Sequence, residues 1–451
     1  MRSNLTGRSE LTGYVAVSAG MALAASCYAM LGSLFGAIDA KWIVLAIAVA
    51  GVFCALVSFS IGELAAMFPS APGIRTYLRA AFGNYSSLAI LFLYLAMVAI
   101  AAGVEGTVVT TVLANVAPGV PRIAVVLGLF LLVIATNTLG LEPPRTLQLG
   151  MTVLLVAATL FVGASALWSD GSAPQVDHVV AMAPPNFLDI AAVVGIAVFL
   201  FIGFEWVTPL GRSPAAYQRL IPLSMLLAIG CLILVYGIFA AGMAHQLAPE
   251  QLAGNPIPQI TLGAALYGAP GRYGLALVSV LAMLTSFNAG LMGASRLLYG
   301  LAREGLLPAW TARISMRTGV PIYAIAAVGG LSFTLALIVI QTGVYRLAGV
   351  TVAAIECLVY GALMLAAIRL RRTRGFTARP FRNPVPLAVQ WVIALAMPLL
   401  GICALLSLPS AGLWPLAFIG ALGAGAALLA LAAVNRTARR TLSTTKQGVL
   451  S

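Results

Sequence analysis

Along the chain, apolar stretches of about 20 residues or more alternate with short polar segments from one end to the other. A helix rises 1.5 Å per residue, so about 20 apolar residues cross a hydrocarbon layer roughly 30 Å thick. The pattern predicts twelve spanning helices, at roughly 11–36, 42–67, 85–114, 122–140, 146–168, 187–210, 220–244, 273–298, 321–342, 346–368, 387–408 and 412–434. The first is not read as a removable signal peptide, because no small-residue cleavage site follows a short apolar core. The longest connections on one face, 169–186 and 245–272, are too small for a folded domain. Whatever the protein does is therefore expected to happen inside the helical bundle.

Composition agrees with this pattern. Of 451 residues, 61% are hydrophobic and 8% charged, and mean hydropathy is +1.03. A soluble domain carries roughly a quarter charged residues, so a water-soluble enzyme, a disordered chain and a secreted disulfide scaffold are all excluded. The net charge of +13 is a matter of topology rather than of nucleic-acid binding. An even number of spans puts both ends of the chain on one side. Only Lys41, Arg122, Arg272 and Arg346 of the 25 basic residues fall on the opposite face, leaving 21 on the side of the termini. Basic residues stay cytoplasmic, which predicts a multi-pass protein of the cytoplasmic membrane with both termini inside. The densest cluster, from Arg369 to Arg374, reads first as a topology anchor near anionic lipid, with a regulatory site as the alternative. The five cysteines lie inside apolar runs and read as small apolar filler rather than disulfides or metal ligands. His178 and His245 are far apart, so neither a metal site nor any cofactor is expected.

Ionisable groups at membrane depth cost a few kcal/mol each and are functional candidates by default. Four acids qualify: Glu63, Glu105, Glu205 and Glu356. Counting along the spans, Glu205 and Glu356 fall near the middle of the hydrocarbon layer, Glu63 near the cytoplasmic end of span two, and Glu105 in the outer half of span three. No span contains a lysine. Carboxylates without an internal cation must be protonated, face water, or meet a positively charged ligand. For Glu105 and Glu356 a protonated acid bonded to a backbone carbonyl is an equal alternative. Glu205 stands apart because Gly203 precedes it and Pro209 and Gly211 follow, residues that weaken a helix. Span one is similarly weak around Ser18–Gly20 and at Ala24, Ala25 and Ser26. Interruptions at corresponding positions of two repeats point to a midplane transport site, although small residues also serve ordinary helix contacts.

Several stretches resemble the amino acid–polyamine–organocation (APC) family of transporters. Ile61-Gly62-Glu63-Leu64-Ala65-Ala66-Met67-Phe68-Pro69, with Gly73, Tyr77 and Ala81-Phe82-Gly83, is similar to that family's span-two signature. Phe201-Ile202-Gly203-Phe204-Glu205 resembles its span-six break, the segment from Ala294 to Pro308 its span-eight end, and Arg379-Pro380-Phe381-Arg382 the approach to span eleven. The resemblance implies an all-α fold with a five-plus-five inverted-repeat core, 11–168 and 187–368, helices one and six broken, and two added helices at 387–434. The cytoplasmic tails would be 1–10 and 435–451. It also implies alternating access, with a substrate carboxylate on the amides of Ala24, Ala25 and Ser26. The substrate ammonium would lie on carbonyls around Phe199, Ile202 and Gly203, and Glu205 would couple binding to the gate; apart from the resemblance, the depth of Glu105 makes it the next candidate for that coupling. The chain departs from the family in three places. Ser18, Ala24 and Ser26 replace glycines, and 152–156 lacks a lysine that proton-coupled members carry. Gly290 stands where arginine exchangers have a tryptophan.

The leading expectation is a permease for an amino acid or related organic amine, coupled to protons or working by exchange, as a monomer or homodimer. Glu356 tilts the reading toward a substrate with an extra cationic group. A polyamine exchanger of the same fold is the runner-up. A membrane-embedded enzyme is disfavoured for want of a metal cluster, a nucleophile–base pair or a phosphate loop, and a transporter-like sensor because the tails are too short for an output domain.

Overall fold

The computed structural model describes residues 2–69, 73–141, 145–170, 185–211, 213, 216–375, 377–408 and 412–449, and every regular element among them is helical. In hydrocarbon each backbone N–H and C=O must find its partner within the chain, which leaves an apolar sequence little choice but helix. Fourteen α-helices follow one another: α1 (Arg2–Ala22), α2 (Ala25–Phe35), α3 (Ala40–Met67), α4 (Ile74–Val116), α5 (Arg122–Thr138), α6 (Arg145–Trp168) and α7 (Phe187–Ala197), then α8 (Ile221–Gln246), α9 (Pro249–Leu252), α10 (Pro258–Arg303), α11 (Ile322–Thr342), α12 (Tyr345–Thr373), α13 (Leu387–Leu406) and α14 (Trp414–Val449). Short 3-10 turns at Val198–Phe201 and Phe204–Leu210 continue α7, and a π turn at Ala216–Leu220 leads into α8. Among the described residues ten stretches are long and apolar enough to cross a membrane unaided. The pair formed by α1 and α2 passes that test only jointly, bent by 53°, and the apolar part of α5 is shorter.

The helices extend beyond the apolar windows of the sequence. Segments 68–84 and 245–272, expected as connections, contain the first turns of α4 and α10, which join their spans through kinks at Gly83 and Gly268. A hydropathy window detects only the part of such a helix that is uniformly apolar. The arm before Gly83 carries Arg75 and Arg79 and so escapes it. In the same way α14 continues helical through most of 435–451. Most of the loop 169–186, including His178, lies outside the described residues.

α12 is the most enclosed span, with 83% of its apolar stretch buried against 17% for α14, so α12 lies at the centre and α14 at the rim. Around α12 pack α3, α4, α7 and α13. Small residues permit the closest approaches: a Cβ on Gly242 of α8 would lie 2.5 Å from the Gly163 carbonyl of α6. All five cysteines are free thiols, three of them buried.

One end of the bundle is tied by ion pairs. Glu63 of α3 accepts from Arg371 Nε at 2.9 Å, from Arg379 Nε at 3.1 Å and from the Asn383 backbone N–H at 2.8 Å. The Asn383 amide in turn donates to Ser60 Oγ at 2.9 Å. Buried Arg75 pairs with Glu304 just beyond α10. The arginine cluster expected as a topology anchor therefore has internal partners. Arg371 holds Glu63, while Arg369, Arg372 and Arg374 lie over the rings of Phe82, Trp391 and Phe68.

Candidate functional site

Two interruptions of regular helix face each other in the core. At the first, α1 ends at Ala22, Ala24 is extended (φ −89°, ψ 151°), and α2 restarts at Ala25. Ser18, Ala19 and Gly20, expected to share this weakness, stay helical, so the break is confined to Leu23 and Ala24. A break orphans carbonyls on one side and amides on the other. The Ala22 carbonyl accepts from Tyr236 Oη at 2.7 Å and from Cys27 Sγ at 3.3 Å. At the α2 side Glu105 of α4 caps the helix. Its Oε1 accepts from Ser26 Oγ at 2.9 Å and from Ser286 Oγ of α10 at 3.2 Å, and the backbone amides of Ser26 and Ala25 are turned toward the same carboxylate. Glu105 is 5% exposed, and its Oε2 has no hydrogen-bond partner.

The second interruption follows α7. Helix tightens to a 3-10 turn at Val198–Phe201, and Gly203 then adopts φ +112°, a left-handed conformation that glycine takes at little cost. A Cβ at Gly203 would lie 2.9 Å from Met21 Cβ, so the two breaks touch here. Ser18 Oγ also donates to the Phe204 carbonyl at 3.0 Å. The carbonyls of Phe199 and Gly203, expected to face an ammonium group, each already accept a backbone N–H, from Ile202 at 3.3 Å and Trp206 at 3.2 Å. Each keeps a second lone pair.

Glu205, 2% exposed, is held from three directions. Tyr94 Oη of α4 donates to Oε1 at 2.9 Å, Tyr360 Oη of α12 to Oε2 at 2.9 Å, and the Gly203 N–H to Oε2 at 3.2 Å. Trp206 stacks on Tyr94 with ring centroids 5.9 Å apart. Glu356 lies one turn before Tyr360 on α12, within electrostatic reach of Glu205; it is fully buried, and neither carboxylate oxygen has a hydrogen-bond partner.

The structure thus brings Ala24, Ala25, Ser26 and Glu105 together at the first break and Ile202, Gly203 and Glu205 at the second. Gly290 lies one turn after Ser286; a Cβ there would meet Val98 at 3.8 Å and Met21 at 4.0 Å, open enough for a larger group. Thr152, in the stretch where a lysine was sought, donates to the Ala16 carbonyl at 3.2 Å beside α1. Glu63 belongs to the ion pairs at one end rather than to this site. Sequence reasoning missed Tyr94, Tyr360 and Ser286. A usable signal existed for Tyr360, a hydrogen-bonding tip four residues from a buried acid and hence on the same helix face.

The family model described as Amino acid permease matches residues 15–412. An uncharacterized transporter of Mycobacterium tuberculosis is 28% identical over 301 residues, 65% of this chain and 66% of its own length. The L-asparagine permease 1 of the same organism is 25% identical over 286 residues, 60% of this chain and 58% of its own. The chain therefore aligns with about two thirds or less of these relatives. Among solved structures, the Eremococcus coleocola manganese transporter in complex with an aromatic bis-isothiourea substituted compound has a similar fold, with TM-score 0.58 at 13% identity, covering 95% of this chain and 94% of that one.

Proposed function

The chain belongs to the amino acid permease family, and on that premise we propose that it is a secondary transporter moving an amino acid or related organic amine by alternating access. The observation that carries this reading is the meeting of two backbone interruptions around buried carboxylates, at Ala24–Ser26 with Glu105 and at Ile202–Gly203 with Glu205. Broken helices offer amides and carbonyls to a polar ligand at membrane depth, and buried acids suit a cationic one. In this reading 11–168 and 187–368 are inverted repeats, the twelve apolar stretches all span, and both termini are cytoplasmic. Glu205 is the coupling group: its phenol and amide donors come from three separate elements, so a rearrangement of the bundle that separates them changes the environment of its carboxyl.

The test is uptake by purified protein in liposomes, screened against amino acids and amines with and without an imposed pH gradient. Glu205→Gln mimics a permanently protonated side chain. It is expected to abolish accumulation driven by the gradient while retaining exchange of substrate across the membrane. Full gradient dependence in that variant would remove Glu205 from the coupling role, and absence of any transport by the unaltered protein would refute the permease reading.

A further inference from the structure

The N-terminus of α2 is an anion site by construction. Its first amides have no partner within the helix, and the peptide dipoles make that end positive. In this protein a side chain already fills it. The Glu105 carboxylate accepts from Ser26 Oγ at 2.9 Å, faces the amides of Ala25 and Ser26, and is fixed from the far side by Ser286 Oγ at 3.2 Å. All of these donors converge on one carboxylate, and both hydroxyls converge on Oε1. Oε2 is buried without a partner, as are both oxygens of Glu356. The arginines described as buried or half-buried at the tied end, Arg75, Arg371 and Arg379, are already paired with Glu304 and Glu63. The core therefore lacks a place for a second carboxylate and has unpaired acceptors for a cation.

We propose that Glu105 is a built-in replacement for a substrate carboxylate, and that the substrate is a primary amine bearing no carboxylate, its ammonium group received by Glu105 Oε2 and the buried acids beyond it. The proposal rests on the permease reading and narrows it. A zwitterionic amino acid would have to displace Glu105 from the Ser26 and Ser286 hydroxyls and bring its own carboxylate beside that of Glu105, both unfavourable in a site shielded from water. A decarboxylated analogue meets neither obstacle.

The experiment compares matched pairs that differ only in the α-carboxylate: cadaverine with lysine, putrescine with ornithine, agmatine with arginine, and phenethylamine with phenylalanine. Each is tested as a competitor and as a labelled substrate for counterflow in proteoliposomes. The unaltered protein is expected to prefer the amine in every pair it recognises, by a factor of about ten or more, the worth of one charge-assisted contact. Glu105→Ala vacates the α2 amides for an incoming carboxylate, so the preference should collapse or reverse toward the amino acid. Glu105→Gln keeps the amides covered but removes the charge; it should lose amine affinity without gaining amino acid affinity, and it serves if Glu105→Ala does not fold. Equal or better transport of the amino acid by the unaltered protein overturns the proposal and leaves the permease reading standing. An unchanged preference in both variants overturns the role of Glu105. Failure to transport any member of any pair, with amino acids and other amines also inert, overturns the permease reading itself.

Discussion

Tyr94 and Tyr360 reach Glu205 from two different helices, and each supplies one phenolic hydrogen bond to a carboxylate that water does not reach. A neutral donor to a buried charged acceptor is worth about 1.5–3 kcal/mol. Tyr94→Phe and Tyr360→Phe are each expected to lower stability by an amount of that order, read as a shift in thermal unfolding in detergent. Because both donors serve one carboxyl group, the two losses should be coupled and the double variant should depart from the sum of the singles. Strict additivity would mean that the two phenols act independently of one another. At this scale the sequence was partly legible. Depth and the neighbouring Gly203 and Pro209 marked Glu205 without any structure. The partners were not legible, because a tyrosine in span three and one in span ten are 266 residues apart along the chain and only packing brings them to the same oxygen pair. Glu105 shows the same limit more sharply: its depth was readable, but not that it would lie on the α2 amides which the resemblance assigned to a ligand.

Among the elements, α3 and α12 are locked where Glu63 meets Arg371 and Arg379. The carboxylate is 1% exposed and the two guanidinium side chains are 17% and 12% exposed, so the cluster is shielded enough for its loss to be felt. Glu63→Gln leaves two cations facing each other with a neutral amide between them. A broken buried pair costs about 3–5 kcal/mol, and the residual exposure of the arginines places this one toward the lower figure. Thermal unfolding of the purified variant measures it; a change below about 1 kcal/mol would show that the pairs are solvent-screened like ordinary surface contacts. Periodicity made most elements visible because long apolar runs leave the backbone no alternative to helix. It failed at the arms before Gly83 and Gly268, the first because it carries Arg75 and Arg79 and the second because it is too short to span alone, and it overstated the first break by including Ser18–Gly20, which α1 keeps helical.

For the molecule as a whole, the distribution of basic residues predicts an orientation that two exposed positions can report. Lys41, with 69% of its side chain exposed, lies in the first turn of α3 on the face with few basic residues, and Met316, fully exposed, lies between α10 and α11 on the opposite one. Lys41→Cys should react with an impermeant maleimide added to intact cells, and Met316→Cys only after the membrane is opened; the reverse pattern would invert the orientation. The ion pairs add a directional consequence. Glu63 with Arg371 and Arg379, and Arg75 with Glu304, join different elements at the arginine-rich end. Asp39 and Lys41 at the other end are two residues apart and tie no helices together. Among the described residues the ion pairs that join separate elements thus lie at one end, so in the alternating-access reading proposed above the two sides would open against different electrostatic barriers. Electrolyte screens partly exposed charges, with a decay length near 10 Å at 0.1 M salt shrinking to about 3 Å at 1 M. Raising the salt on the ion-paired side alone should speed the half-cycle that opens there, whereas the same salt on the other side should leave its half-cycle nearly unchanged. In oriented proteoliposomes this asymmetry would make the transporter a rectifier whose turnover depends on which compartment holds the stronger electrolyte.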